Sequence, residues 1–235
     1  MHMVSNTAAR KAGSVIREYH QGEYLIDREE YLTALNAVGE YRRSFYTPMV
    51  KVNCGLRSFC KTLGLEATVT QRLKRQSTII DKLLRLPGTD LSRLQDIAGC
   101  RVVLSSIDDV YSLRDHIINK WDVIKEDNYI KQKRASGYRS LHLVVKNSGQ
   151  RVEIQIRTEI MHEWALLAEE FSDRDMKNYK QDGDSTVQDF LRVVSDIYEY
   201  QEINPNLIDT VELRELLGRY SKAKSLLDQE GKDNG

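Results

Sequence analysis

From Val152 to Arg157 the chain reads Val-Glu-Ile-Gln-Ile-Arg, a strict alternation of branched apolar and polar residues. A helix would scatter these six side chains around its circumference. A strand sends Val152, Ile154 and Ile156 to one face and Glu153, Gln155 and Arg157 to the other. The chain must therefore build a sheet with one buried face and one polar face. Leu141 to Val145 reads as a second strand just upstream, preceded by the segment Gly137-Tyr138-Arg139-Ser140-Leu141-His142. An exposable aromatic, two arginines, a histidine and a carboxylate around two adjacent strands are groups able to hold a polyphosphate, a base and a metal ion. The competing reading is a half-buried strand with a solvated polar face.

The rest of the chain supplies helices and more strands. Apolar spacing predicts helices over Glu29 to Tyr46, ended by Thr47-Pro48, over Val52 to Leu63, and over Ser77 to Leu86, stopped by Pro87-Gly88. An apolar strand follows at Cys100 to Leu104, then a helix near Asp108 to Lys120, a strand near Val123 to Tyr129 and a basic loop from Lys131 to Gly137. After Arg157 come three amphipathic helices, broken at Asp182-Gly183-Asp184-Ser185 and Asn204-Pro205-Asn206, with Glu230 to Gly235 expected to be disordered. The fold class this predicts is α+β, with a mixed, antiparallel-rich sheet of about five strands flanked by helices. The expected organisation is a helical segment over 1–64, a core over 65–165 and a second helical segment over 166–235.

Charge narrows the possible partners. Lys and Arg number 35 against 35 Asp and Glu, so no global field draws the chain onto nucleic acid or an anionic membrane, and phosphate binding must be local. The three cysteines, Cys54, Cys60 and Cys100, lack metal-ligand spacing and suit a reducing compartment. No apolar run reaches the length of a membrane span, and Met1 to Arg10 lacks a signal-peptide core, so a cytoplasmic protein is expected.

Two clusters lie upstream of the motif strands: Arg72-Leu73-Lys74-Arg75-Gln76-Ser77-Thr78-Ile79-Ile80-Asp81-Lys82 and Gln95-Asp96-Ile97-Ala98-Gly99-Cys100-Arg101. In series with the Gly137 and Val152 segments, they resemble the synthetase domain of the RelA/SpoT family from about residue 70 to about residue 165. Those enzymes move a pyrophosphate from ATP onto a ribose 3'-hydroxyl. The resemblance implies a nucleotidyltransferase-like synthetase fold, ATP as donor and Mg²⁺ as cofactor. Asp96 and Glu153 match the family's metal aspartate and catalytic glutamate, and a turn residue and a solvated strand position are the alternatives for them. Arg72, Lys74, Thr78 (for the usual serine), Lys82 and Arg101 match the ATP-binding positions. Tyr138 matches the tyrosine that stacks on the acceptor guanine, and His142 the histidine near the acceptor phosphates. Lys131, Lys133 and Arg134 would line the acceptor phosphate path, with Gln155 and Arg157 on the same strand face.

Two departures bear on the acceptor. Asn128-Tyr129-Ile130 stands where the family reads Asp-Tyr-Ile, and Trp164-Ala165 is followed by Leu166-Leu167-Ala168-Glu169-Glu170 rather than leading to a Glu-His pair. With no His-Asp hydrolase motif upstream, the chain resembles the small, single-domain alarmone synthetases. The implied acceptor is GDP or GTP. The alternatives are the 3' end of tRNA, as in toxic small synthetases paired with an antitoxin, or a non-catalytic nucleotide sensor. The helical segments could also pair into a homo-oligomer.

Overall fold

The computed structural model describes residues 4–22, 26–86, 88–181, 183–204, 206 and 210–233, the last four by backbone alone. Three helices, α1 (Asn6–His20), α2 (Arg28–Arg43) and α3 (Tyr46–Leu63), precede strand β1 (Ala67–Leu73) and helix α4 (Gln76–Arg85). Then come β2 (Ala98–Leu104), α5 (Ile107–Lys120), β3 (Val123–Asn128), β4 (Leu141–Asn147) and β5 (Gln150–Thr158), followed by α6 (Glu159–Asp175), α7 (Thr186–Ile203) and α8 (Val211–Asp233). The sheet order is β1-β2-β5-β4-β3. Only the central β2–β5 pair is parallel.

The alternation at Val152 fixes the register. Val152, Ile154 and Ile156 lie opposite Val145, Leu143 and Leu141 on the neighbouring strand, and all six are buried. This face shares one core with Ile16, Val38, Val52 and Leu56 from the N-terminal helices. A second core gathers Trp164, Ala168, Leu191 and Val194 from α6 and α7 around Tyr138.

Several boundaries differ from the sequence expectation. Helix α3 starts at Tyr46, because Pro48 falls in the first turn, where its missing N–H costs nothing. Sequence reasoning assigns no helix over 6–20, yet α1 forms there, capped by Ser5 and burying Ala9, Ala12 and Ile16. It also leaves β1 unassigned; Val69 is that strand's one fully buried residue, and Leu73 at its end is half-buried against the core. At the C-terminus α8 continues to Asp233, so most of the stretch expected to be disordered is helical. The expected breaks at Pro87, Asp182 and Pro205 lie outside the described residues, as do Gly235 and its neighbour Asn234. Among the described residues no helix is long and apolar enough to cross a membrane.

Candidate active site

The polar face of the sheet carries the site as two rungs of the strand ladder. One rung runs Arg72, Gly99, Glu153, Val144, Lys125; the next runs Thr70, Arg101, Gln155, His142, Asp127. Residues far apart in sequence thus stand side by side because period-2 strands place them in register. Gly99 leaves a gap between Arg72 and Glu153, since a Cβ there would meet only backbone oxygens at 3.8 and 4.0 Å.

Two adjoining cavities sit on this face and share Arg72, Lys74, Asp96, Glu153 and Gln155. The first, about 340 Å³, adds Thr78, Arg101 and Glu169. The second, about 660 Å³, adds Lys82, Tyr129, Arg134, Tyr138, His142 and Lys180. Thr78 and Lys82 reach the site from one side of α4, four residues apart. Cys100 underlies the first cavity, and burial pushes its thiol up to about 12, so it stays protonated.

Asp96 is the hub. Its Oδ2 accepts hydrogen bonds from Lys74 Nζ at 2.7 Å and Lys82 Nζ at 2.8 Å, while its buried Oδ1 has no hydrogen-bond partner. Burial would raise this carboxyl, but the bonds and charges of the two lysines outweigh it and hold Asp96 below the usual aspartate range. Glu153 follows the same logic. Burial pushes it up, and the hydrogen bond and charge of His142 overcome that, helped by Gln155, despite repulsion from Asp96. Both carboxylates therefore stay ionised at neutral pH.

A hydrogen-bonded chain joins Glu153 to the loop that precedes β4. His142 Nδ1 lies 3.3 Å from Glu153 Oε1, and His142 Nε2 lies 2.7 Å from the Tyr138 hydroxyl. Both ring nitrogens are thus engaged, Nδ1–H donating to Glu153 and Nε2 bonded to the Tyr138 hydroxyl. Gln155 braces the other side, its Nε2 donating to Glu153 Oε2 at 3.1 Å and its Oε1 accepting from Arg157 at 2.6 Å.

Four acceptor-side expectations need correction. Tyr138 lines the larger cavity but is only 6% exposed, packed on Trp164 and beneath the Arg157 guanidinium, so it does not present an open stacking face. The half-exposed ring there is Tyr129, with the Arg134 guanidinium 4.5 Å from its centroid. Arg157 is 1% exposed, a buried brace under the site rather than part of a cavity wall. Lys133 is drawn away to Asp196 and Glu199 of α7, at 2.6 and 2.7 Å, and Lys131 lies over the Tyr111 ring; neither lines a cavity.

The Asn128 departure has a local reason. Its side-chain oxygen accepts from the backbone N–H of Ile130 and Lys131, and its amide donates to the Tyr111 hydroxyl, which an ionised aspartate could not do. Sequence reasoning missed Glu169 and Lys180. Neither belongs to a motif strand, and the helical spacing after Trp164 was the one available hint.

Residues 71–183 match the family described as the region found in RelA / SpoT proteins. Over 174 residues the chain is 33% identical to GTP pyrophosphokinase YjbM of Bacillus subtilis, covering 69% of this chain and 68% of that protein. It is 36% identical over 112 residues to GTP pyrophosphokinase YwaC of the same organism, covering 41% of this chain and about half, 53%, of YwaC. A solved GTP pyrophosphokinase family protein from Streptococcus pneumoniae superposes with a TM-score of 0.60 at 26% identity, over 76% of this chain and 95% of that one. Small alarmone synthetase 1 of Bacillus subtilis, bound to its product pppGpp, has the same fold, with a TM-score of 0.60 at 24% identity over 72% of this chain and 98% of that one.

Proposed function

The chain belongs to the RelA/SpoT family, and from that premise we propose that it transfers the β,γ-pyrophosphate of ATP to the 3'-hydroxyl of GDP or GTP. One observation carries the assignment to these residues: two cavities meet at a shared wall containing Asp96 and Glu153. The smaller cavity sets Arg72, Lys74, Arg101 and the Thr78 hydroxyl beside the carboxylates of Asp96, Glu153 and Glu169, cations for a triphosphate next to carboxylates for its counter-ion. The larger, with the half-exposed Tyr129 ring and its Arg134 partner beside His142, suits a purine nucleotide.

The reaction needs an aligned hydroxyl and a neutralised triphosphate. Glu153, ionised and oriented by His142 and Gln155, takes the proton from the 3'-hydroxyl as its oxygen attacks the β-phosphorus. The bond from that phosphorus to the bridging oxygen breaks, AMP leaves, and the acceptor gains the pyrophosphate. Arg72, Lys74 and Lys82 hold the transferred group. The unpartnered, buried Oδ1 of Asp96, with Glu153 as a second carboxylate, fits Mg²⁺, which takes one or two carboxylates and fills its shell with phosphate oxygens. When bound, the ion would neutralise charge on the phosphoryl oxygens.

The tRNA alternative gains no support from Arg42 and Arg57, whose guanidinium groups are engaged within the fold. Arg42 donates to the Lys74 carbonyl, Arg43 pairs with Glu40, and Arg57 holds Asn53 and the Val69 carbonyl. Arg42 and Arg57 thus brace the fold from within, whereas the Arg43–Glu40 pair lies at the exposed surface. A pure sensor would have no use for two ionised carboxylates at one wall. The deciding experiment offers γ-labelled ATP with GDP, GTP or bulk tRNA. Label is expected in the guanine nucleotides, and label found only at the tRNA 3' end would overturn the reading.

A further inference from the structure

Glu169 lies on α6 and faces the smaller cavity; Lys180 lies in the turn after α6 and faces the larger. Lys180 Nζ pairs with Glu169 Oε1, so the bond runs from one cavity to the other. Lys180 is also fixed to the acceptor side. Its carbonyl accepts from Ser136 Oγ at 3.1 Å, and Gln188 Nε2 bridges the carbonyls of Ser136 and Tyr179, each at 3.1 Å. The backbone of Lys180 is thus anchored to the loop carrying Arg134 and Tyr138, while its side chain is turned toward Glu169.

The surroundings favour an anion. Arg101 Nε and Arg157 Nε and Nη1 are buried with no hydrogen-bond partner. Both arginines act on the Glu169–Lys180 pair, stabilising the carboxylate and repelling the ammonium. Burial is the largest influence on Lys180 and lowers its pKa despite the support of Glu169. A half-buried ammonium held against such a field by one carboxylate gains from a second anion.

We propose that Lys180 is a ligand for the phosphate groups of the acceptor nucleotide, and that Glu169 holds it in reserve at the wall between the cavities until that anion arrives. The inference rests on the pyrophosphate-transfer reading and adds a named acceptor ligand and its restraint. Acceptor phosphates compete with Glu169 for the ammonium, so the two partners act in opposite directions on acceptor binding.

The test is a double-mutant cycle on the full chain, with the KM for GDP and GTP measured at saturating ATP, the KM for ATP at saturating acceptor, and direct titration with GDP. Lys180→Ala is expected to raise the acceptor KM about tenfold or more, the scale of a lost charge-assisted hydrogen bond, while the KM for ATP moves less than about twofold. Lys180→Arg should recover most of the loss. Glu169→Gln is expected to lower the acceptor KM about two- to fivefold by releasing the ammonium, an effect that disappears in the Lys180→Ala background. Lys180→Gln, which keeps the stem and drops the charge, carries the test if alanine destabilises the turn. A structural ion pair would instead give two variants that raise the acceptor KM alike with matched losses of thermal stability, and that result overturns the proposal. So does an acceptor KM unmoved by Lys180→Ala and Lys180→Gln. A parent chain that neither binds GDP nor labels GDP or GTP sinks the functional reading and this inference together, whereas an active parent with unresponsive variants sinks this inference alone.

Discussion

The two halves of the site are built by different means. On the donor side, Arg72, Lys74, Thr78, Lys82 and Arg101 come from 30 consecutive residues of β1, α4 and β2. The N-terminal helices grip that backbone directly: Arg42 donates to the Lys74 carbonyl at 2.5 Å, Arg57 to the Val69 carbonyl at 2.5 Å, and Gln76 reaches back to the Leu35 carbonyl at 2.8 Å. On the acceptor side, the loop before β4 is held by a helix some fifty residues further on. Arg192 donates to the Ala135 carbonyl at 2.7 Å and Ser195 to the Gly137 carbonyl at 2.6 Å. Gly137 has φ 92°, and a Cβ there would come within 2.9 Å of Ser195, so only glycine lets the loop lie this close to α7. Donor geometry is therefore a property of the main core, and acceptor geometry a property of the C-terminal helices.

The shared wall should be the most sensitive place, because both halves depend on it. Asp96→Asn or Glu153→Gln is expected to leave the thermal unfolding profile near that of the parent and to cut turnover about 10³-fold or more. Either variant turning over within about tenfold of the parent would break the assignment of the wall as the reacting centre.

Next comes the hold of α7 on the acceptor loop. Arg139 and Glu202 form an ion pair in which each side chain is 5% exposed, and the Thr158 hydroxyl also donates to Glu202. Removing Glu202 leaves the buried Arg139 guanidinium only the more distant Glu199 carboxylate, at 3.9 Å, so Glu202→Ala should cost up to about 3 kcal/mol in denaturant unfolding. Surviving protein should show a raised acceptor KM and an unchanged ATP KM. An equal rise in both would show that the halves are not separable.

The same division explains what could be read in advance. Strands β4 and β5 announce themselves because alternation over six residues admits no helix, and the donor cluster is legible because its residues are close in sequence. Strand β1 is hidden by its composition, since Val69 is its one fully buried residue and is drawn into the sheet by Val102 opposite it. The acceptor half was misread where charge was taken as a sign of exposure. Lys133 looks like a phosphate ligand in the sequence, but its partners, Asp196 and Glu199, lie on a helix that no local pattern places beside it. Lys180 escaped for the converse reason, as a lone lysine whose position depends on contacts with residues about forty positions away.

A smaller effect should mark the donor side alone. Arg72→Ala or Lys74→Ala removes one cation from the triphosphate cavity and should raise the KM for ATP about ten- to thirtyfold, with turnover also reduced at saturating acceptor. Lys74→Ala also strips Asp96 of a hydrogen bond, so its effect on turnover should exceed that of Arg72→Ala. A change confined to acceptor KM would assign these residues to the wrong cavity.

The smallest change tests the comparison most finely. Tyr138 is packed by its ring and bonded by its hydroxyl, and the two roles separate in Tyr138→Phe. The ring keeps its contact with Trp164, so the second core and the unfolding midpoint should hardly move. The lost hydroxyl leaves His142 Nε2 without its 2.7 Å partner, and the imidazole, free to turn, orients Glu153 less well. A single neutral hydrogen bond contributes about 0.5–1.5 kcal/mol, so turnover should fall about two- to tenfold with the ATP KM unchanged. His142→Asn should lower turnover at least as much, and adding Tyr138→Phe to it should lower turnover little further, because the hydroxyl's short bond is to that ring and its contact with Arg157, at 3.5 Å, is the weaker one. Additive losses would mean that the Tyr138 hydroxyl meets the acceptor directly, and the line between a buried scaffold and an open binding face would have to be redrawn at this residue.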